Sequence, residues 1–126
     1  KAPEIDATVV TARKLGVDPG PVQSMSRARP DGHLLEWRLT AGGGGGLGTG
    51  GSVALLPFLI DWGQSQHPAL SAPAGCTLAT LRAEHPDPGA ARAQLEALGV
   101  DLEVALGLHP ALVATIDTPN GQIELR

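Results

Sequence analysis

Two short patterns occur twice along this chain, and they constrain its fold more than any other feature. Leu-Gly-Val-Asp stands at residues 15–18 and again at 98–101, an offset of 83 residues. Pro-Asp-Gly at 30–32 is matched by Pro-Asn-Gly at 119–121, an offset of 89 residues. Both copies of Leu-Gly-Val-Asp follow an amphipathic helical stretch. Pro-Asp-Gly and Pro-Asn-Gly both suit the turn of a hairpin. The shared order and context predict two βαββ-type units packed as pseudo-repeats.

Apolar spacing and turn residues predict the elements around these patterns. Helices over 5–15 and 88–98 each end at a glycine, and the second should begin with Asp87 as N-cap and Pro88 in its first turn. Segments 22–29 and 34–39 should form a hairpin, with further strands at 76–83, 112–117 and 122–126.

The repeat also predicts a missing strand. The strand at 76–83 precedes the second helix, and subtracting 83 places its counterpart before residue 1. The first unit should therefore lack its initial strand and expose an unpaired sheet edge. Because such edges pair readily with other chains, we expect association through this edge, as in a homodimer.

These elements predict an α+β fold. A length of 126 residues with 42% hydrophobic side chains suits one domain with its own core. We expect residues 1–126 to form that domain, from units at about 1–63 and 76–126 joined by a loop rich in Pro, Ser and Ala. The aromatic residues are Trp37, Phe58 and Trp62, so the interior should be aliphatic.

Net charge and cysteine content limit the classes of partner that we expect for this protein. Nine basic and thirteen acidic residues give a net charge of −4 and a pI of about 5.4, which provides no electrostatic footprint for nucleic acid or an anionic membrane. No apolar run is long enough for a transmembrane helix, and no secretion signal is evident. Cys76 cannot form an internal disulfide. We expect a cytoplasmic protein with a small-molecule ligand.

The longest apolar run lies at residues 55–60 and is followed by Asp61, Trp62, Gly63 and, four residues later, His67. The run predicts a buried strand, and we expect Phe58, Ile60 and Trp37 to be buried in the core. Two interpretations of its end are open. In the first, Trp62 covers the core and Asp61 caps the following turn. In the second, Asp61, Trp62 and His67 form the rim of a pocket.

Residues 41–52 contain eight glycines and predict a flexible loop that projects from the sheet. A phosphate-binding loop would end in Gly-Lys-Ser/Thr and open a helix, and neither feature is present.

Several stretches carry a resemblance to a known family: ARPDG (28–32), LLPFLIDWG (55–63), HPA (67–69), LRAEHPDP (81–88) and DTPNGQIELR (117–126). The chain resembles bacterial glyoxalase-like domain proteins of the vicinal-oxygen-chelate superfamily. This resemblance implies βαβββ modules whose curled, mixed but mostly antiparallel sheets surround a cleft, preceded by an N-terminal module. It also implies a lyase, isomerase or dioxygenase that acts on a small oxygenated molecule.

The resemblance further implies a divalent metal held by His and Glu, including a glutamate on a module's last strand. Glu124 stands at such a position, as metal ligand or general base. The matching strand at 77–83 carries no histidine, and the four histidines show no ligand spacing: His33, His67, His85 and His109. The alternatives are a metal-free binding or sequestering module, or the scaffolding half of a larger protein.

Strand alternation offers a second kind of site. If the aliphatic faces pack under the helices, the opposite faces present charges to a cavity or to solvent: Glu36, Arg38, Asp61, Arg82, Asp117 and Glu124. Arg27 and Arg29 either clamp a carboxylate or are surface charges. The candidate ligand-binding residues are Arg29, Glu36, Arg38, Asp61, Trp62 and His67.

Overall fold

The protein is described by a computed structural model over residues 4–41 and 55–126, so the glycine-rich segment at 42–51 lies outside the described residues. The elements in chain order are α1 (Ile5–Lys14), β1 (Val22–Ala28), β2 (Leu34–Thr40), β3 (Ile60–Asp61), a 3₁₀ turn (Pro68–Ser71), β4 (Thr77–His85), α2 (Pro88–Ala97), β5 (Val104–Leu106), β6 (Ala111–Thr118) and β7 (Gly121–Leu125). The strands form two sheets, β1-β2-β3 and β5-β4-β6-β7, and every pair except β4-β5 is antiparallel. The predicted α+β fold is confirmed.

Both helices end with the same backbone geometry. At the end of α1, the N–H of Val17 donates to the carbonyl of Ala12 at 2.9 Å, across Gly16 with a φ of +82°. The corresponding bond at the end of α2 is also 2.9 Å, and its glycine has a φ of +73°. A positive φ in this region favours glycine, which explains why Leu-Gly-Val appears at both helix ends. At ten residues each, α1 and α2 are too short and too polar to cross a membrane.

The strand β5 was not predicted from the sequence. Between the helix and the hairpin, the second unit is six residues longer than the first, since the two offsets are 83 and 89. β5 lies in this longer connection. β5 pairs parallel to β4, with Ala83 opposite Val104, and α2 makes the crossover between them. The second unit is therefore a complete βαβββ arrangement, whereas α1 is preceded in the described part of the chain by Glu4 alone.

The core consists of two adjoining clusters of aliphatic side chains. One holds Leu55, Ala83, Ala91, Leu95 and Val104, and the other holds Ala12, Val17, Ala97 and Leu98. Leu56 packs against both clusters. The segment that follows the glycine-rich stretch thereby connects the ends of α1 and α2 with the second sheet.

The predicted buried strand over 55–60 is wrong. Only Ile60–Asp61 pairs as a strand, Phe58 and Ile60 are 46% and 41% exposed, and Trp37 is half-buried. The run packs against the helices through its leucines instead of lying inside a sheet. It joins the first sheet at Leu59, whose N–H donates to the Thr40 hydroxyl at 2.9 Å.

Candidate functional site

A cleft of about 730 Å³ opens beside the first sheet. Five of the six predicted ligand-binding residues line it: Arg29, Glu36, Arg38, Asp61 and Trp62. The rest of the lining comes from β1, β2, the turn between them and the turn after β3: Ser24, Met25, Asp31, His33, Leu34, Leu35, Trp37, Gly63, Gln64, Ser65 and Gln66. A volume in this range suits a small-molecule ligand.

Strand register brings the predicted residues together. β2 lies in the middle of the sheet, so Arg38 has Ser24 of β1 on one side and Asp61 of β3 on the other. The turn after β3 returns to β2, because the N–H of Glu36 donates to the Ser65 hydroxyl at 3.0 Å. The sequence did not single out this second turn, although its position directly after Asp61 and Trp62 was a signal for it.

Three aromatic rings form one wall beside the cleft. The ring centroids of Trp37 and Trp62 are 5.6 Å apart at a tilt of 45°, and the His67 ring meets Trp62 edge-on at 5.5 Å. His67 is not a lining residue, since its Nδ1 accepts the N–H of Ala69 at 3.1 Å and caps the 3₁₀ turn. The Trp62 Nε1 atom is buried and has no hydrogen-bond partner among the described residues.

Both interpretations of Asp61 hold in part. Its Oδ1 accepts the N–H of Gly63 at 2.9 Å, so the carboxylate caps the turn that follows β3. The same side chain also lines the cleft. This hydrogen bond fixes the direction of the Asp61 carboxylate. Because it closes the turn between Asp61 and Gly63, it also fixes the backbone that carries Trp62.

The two arginines of the cleft differ in their partners. Arg38 forms an ion pair with Asp6 of α1. Arg29 is half-buried, and none of the carboxylates in the described residues lies within ion-pair distance of it. Asp31 accepts the backbone N–H of His33 at 3.0 Å, and this bond holds the pKa of the Asp31 carboxyl below its ordinary value. Arg29 is therefore the cleft arginine that forms no ion pair with the described carboxylates, although its charge also helps to lower the pKa of Asp31.

Glu124 lies elsewhere, in a charged network on the second sheet. Arg82 donates to Glu84 at 2.6 Å (Nη1 to Oε1) and lies 3.8 Å from Glu124 (Nη2 to Oε2). Arg126 binds Glu84 through two bonds of 2.7 and 3.0 Å. The hydrogen bond from Arg82, followed by that from Arg126, lowers the pKa of Glu84, and the bond to Glu84 raises the pKa of Arg82.

The strand before α2 does carry a histidine, contrary to the sequence prediction. β4 extends to His85, two residues beyond the predicted end, because it continues to pair with β5 through His85 opposite Leu106. Side chains alternate along a strand, so His85 shares the helix-covered face with Ala83 and lies opposite to Arg82 and Glu84. His85 is buried, and its Nδ1 accepts the N–H of Asp87 at 2.9 Å.

The residues present do not fit the metal centre that the resemblance implies. Among residues 4–41 and 55–126, no three His, Cys, Asp or Glu side chains are grouped so as to hold a metal ion. The segments 1–3 and 42–54 contain none of these residue types. Beside Glu124 the neighbouring charged group is a guanidinium, which repels a cation instead of donating a lone pair to it.

Residues 4–41 and 55–126 form an α+β domain with two short helices, two open sheets and a cleft beside the first sheet. Residues 1–99 match the family model described as Glyoxalase-like domain. The chain therefore belongs to the glyoxalase-like domain family of the vicinal-oxygen-chelate superfamily. The match takes in the cleft, both helices and β4, and ends before β5. No curated protein and no solved structure matches the chain.

Proposed function

We propose that this domain binds a small oxygenated molecule in the cleft beside Trp37 and Trp62. The observation that carries the proposal is the half-buried Arg29, which lines this cleft and has no carboxylate of the described residues within ion-pair distance. A guanidinium binds carboxylate oxygens through two parallel hydrogen bonds. The tryptophan rings supply an apolar surface for the rest of the ligand.

The remaining candidate residues have supporting roles in this proposal. Arg38 and Asp61 are register partners on β2 and β3 and both line the cleft, so one end of the cleft carries a cation and an anion. Glu36 adds a carboxylate for a ligand hydroxyl. His67 holds the Trp62 ring in place through its edge-on contact.

Intrinsic fluorescence tests binding directly, because Trp37 and Trp62 are the protein's two tryptophans and both line the cleft. Titration with benzoate and with pyruvate should change the emission saturably for at least one of them. Arg29→Gln should weaken that binding by about tenfold or more, since a hydrogen bond to a charged group contributes roughly 1.5–3 kcal/mol.

Arg27→Gln is the matched control. Arg27 precedes Arg29 by two residues, is exposed and does not line the cleft, so its loss should leave the affinity unchanged. No emission change with either probe, or equal weakening by the two substitutions, would contradict the proposal.

An enzymatic function, as a lyase, isomerase or dioxygenase, is the second candidate. The observation that favours it is the presence of Glu36 and Asp61 in the cleft, because a carboxylate beside a bound ligand can act as a general base. Deuterium uptake from heavy water into pyruvate measures such proton abstraction. Glu36→Gln should abolish the uptake, whereas Glu103→Gln, on the exposed segment before β5, should not.

We also propose one domain over residues 1–126, built from pseudo-repeat units at about 1–63 and 76–126, and a cytoplasmic location. The matching helix ends support the two units, and the single exposed Cys76 suits a reducing compartment. Association of two copies through a sheet edge is supported by β1 and β7, outer strands whose residues are almost all exposed. Sedimentation velocity over a range of concentrations should detect the dimer.

A further inference from the structure

We infer that Arg82 takes the place of a divalent metal on the polar face of the second sheet. β4 carries Arg82 and Glu84 on one face, and β7 carries Glu124 opposite Thr115 of β6. Arg82 lies opposite Val113 of β6, two residues from Thr115, so Arg82, Thr115 and Glu124 share one face of the sheet. The first and last strands of the unit thus meet through a guanidinium and two carboxylates.

The donor atoms of Glu84 are already used. Its Oε1 accepts bonds from Arg82 and Arg126, and its Oε2 accepts a second bond from Arg126. The side chain is only 15% exposed and is packed against the backbone of Gly107. Three of the about four lone-pair sites of this carboxylate are therefore occupied, and a metal ion would have to compete with charge-assisted bonds at both oxygens before Glu84 could become a ligand.

Glu124 is the second carboxylate within ion-pair distance of Arg82. The Arg82 Nη2 lies 3.8 Å from Glu124 Oε2 while Nη1 holds Glu84, so one planar group spans both acids. Two arginines and two glutamates make the network neutral. A guanidinium offers fixed donors and no exchangeable coordination position, so this face joins β4 to β7 without offering a Lewis-acid site.

Isothermal titration of the full chain with Mn²⁺ alone and with Zn²⁺ alone tests the inference. The wild-type chain should show no stoichiometric binding on this face. The double variant Arg82→Gln with Arg126→Gln frees both carboxylates and should bind one equivalent of Mn²⁺, at least about tenfold more tightly than wild type. Adding Glu124→Gln to that variant should abolish the gain.

The control is the double variant Arg27→Gln with Arg92→Gln. It also removes two positive charges, but elsewhere on the protein, and should gain no metal binding. Stoichiometric binding by the wild type that Glu124→Gln abolishes would overturn the inference, because Glu124 would then be a metal ligand. The inference would also be overturned if Arg82→Gln with Arg126→Gln gained no Mn²⁺ binding, or if the control double variant gained as much. If the double variant does not fold, the comparison of wild type with Glu124→Gln decides alone.

Discussion

Gly107 lies so close to Glu84 that a Cβ added to it would stand 2.7 Å from the Glu84 Cβ. The N–H of Gly107 also donates to the carbonyl of His85 at 3.1 Å, which fixes its backbone against β4. Because the clash falls on a Cβ attached to a strand and not on the end of a flexible side chain, Gly107→Ala should force a backbone shift. We expect a loss of about 1–3 kcal/mol in the free energy of unfolding, measured with urea.

Gly89→Ala is the control for this prediction. Gly89 lies in the first turn of α2, and a Cβ there would be 3.6 Å from its nearest neighbour, an ordinary contact with Asp87. Alanine is a better helix former than glycine by up to about 1 kcal/mol, so this change should be neutral or stabilising. Equal losses at both glycines would mean that the contact with Glu84 is unimportant.

Glu84 should make the free energy of unfolding depend on pH in the acidic range. Its pKa lies below the ordinary value of 4.5 because Arg82 and then Arg126 donate to its carboxylate. A lowered pKa contributes stability that is present above the unfolded pKa and is lost as the pH falls through the folded pKa. Glu84→Gln should therefore be less stable than wild type at neutral pH, and the difference should shrink below about pH 4.5.

Urea midpoints of both chains, measured from neutral pH to about pH 3, provide the test. Glu96→Gln serves as the matched control, because Glu96 is exposed on α2 and forms no ion pair with the described basic residues. A Glu84→Gln difference that does not change with pH would show that the two arginines do not stabilise the charged form.

The repeated Leu-Gly-Val patterns provide a pair of leucines in the same local structure but at different depths. Leu98 is 4% exposed in the cluster that joins the helices, whereas Leu15 is 64% exposed. Leu98→Ala should cost about 2–5 kcal/mol, and Leu15→Ala should stay within about 0.5 kcal/mol. Equal effects on the urea midpoint would mean that burial does not distinguish the two helix ends.

The elements that the sequence predicted well are those with local signals. Both helices have apolar periodicity and a glycine end, the hairpins have Pro-Asp-Gly or Pro-Asn-Gly turns, and the predicted Asp87 cap accepts the N–H of Ala90 at 3.0 Å. β5 has no such signal. Its three residues become a strand only by pairing with β4, and the same pairing lengthens β4 to include His85.

The residues of the site were predictable only where a local signal, strand alternation or the end of an apolar run, singles them out. Asp61 and Trp62 mark the end of an apolar run, and the structure puts both in the cleft. The tilted contact between the Trp37 and Trp62 rings joins residues 25 positions apart, and the ion pair between Glu84 and Arg126 joins residues 42 positions apart. Such contacts depend on the path of the whole chain, which local periodicity does not contain.

The apolar run at 55–60 yields the last prediction, because its residues have the same composition as a buried strand but a different packing. Leu55 is 7% exposed and packs in the cluster with Ala83 and Leu95, whereas Phe58 is 46% exposed. Truncation of a buried phenylalanine would cost roughly 3–5 kcal/mol. With nearly half of its surface already in water, Phe58→Ala should cost only about 1–2 kcal/mol.

Leu55→Ala should be the more costly change, at about 2–5 kcal/mol, although it removes fewer atoms, because it leaves a cavity between α2 and the second sheet. Urea unfolding of both variants under the same conditions gives the comparison. A larger loss for Phe58→Ala than for Leu55→Ala would restore the buried-strand interpretation of this segment. The opposite order would establish that the run holds the protein together through its leucines, at the point where the helices meet the second sheet.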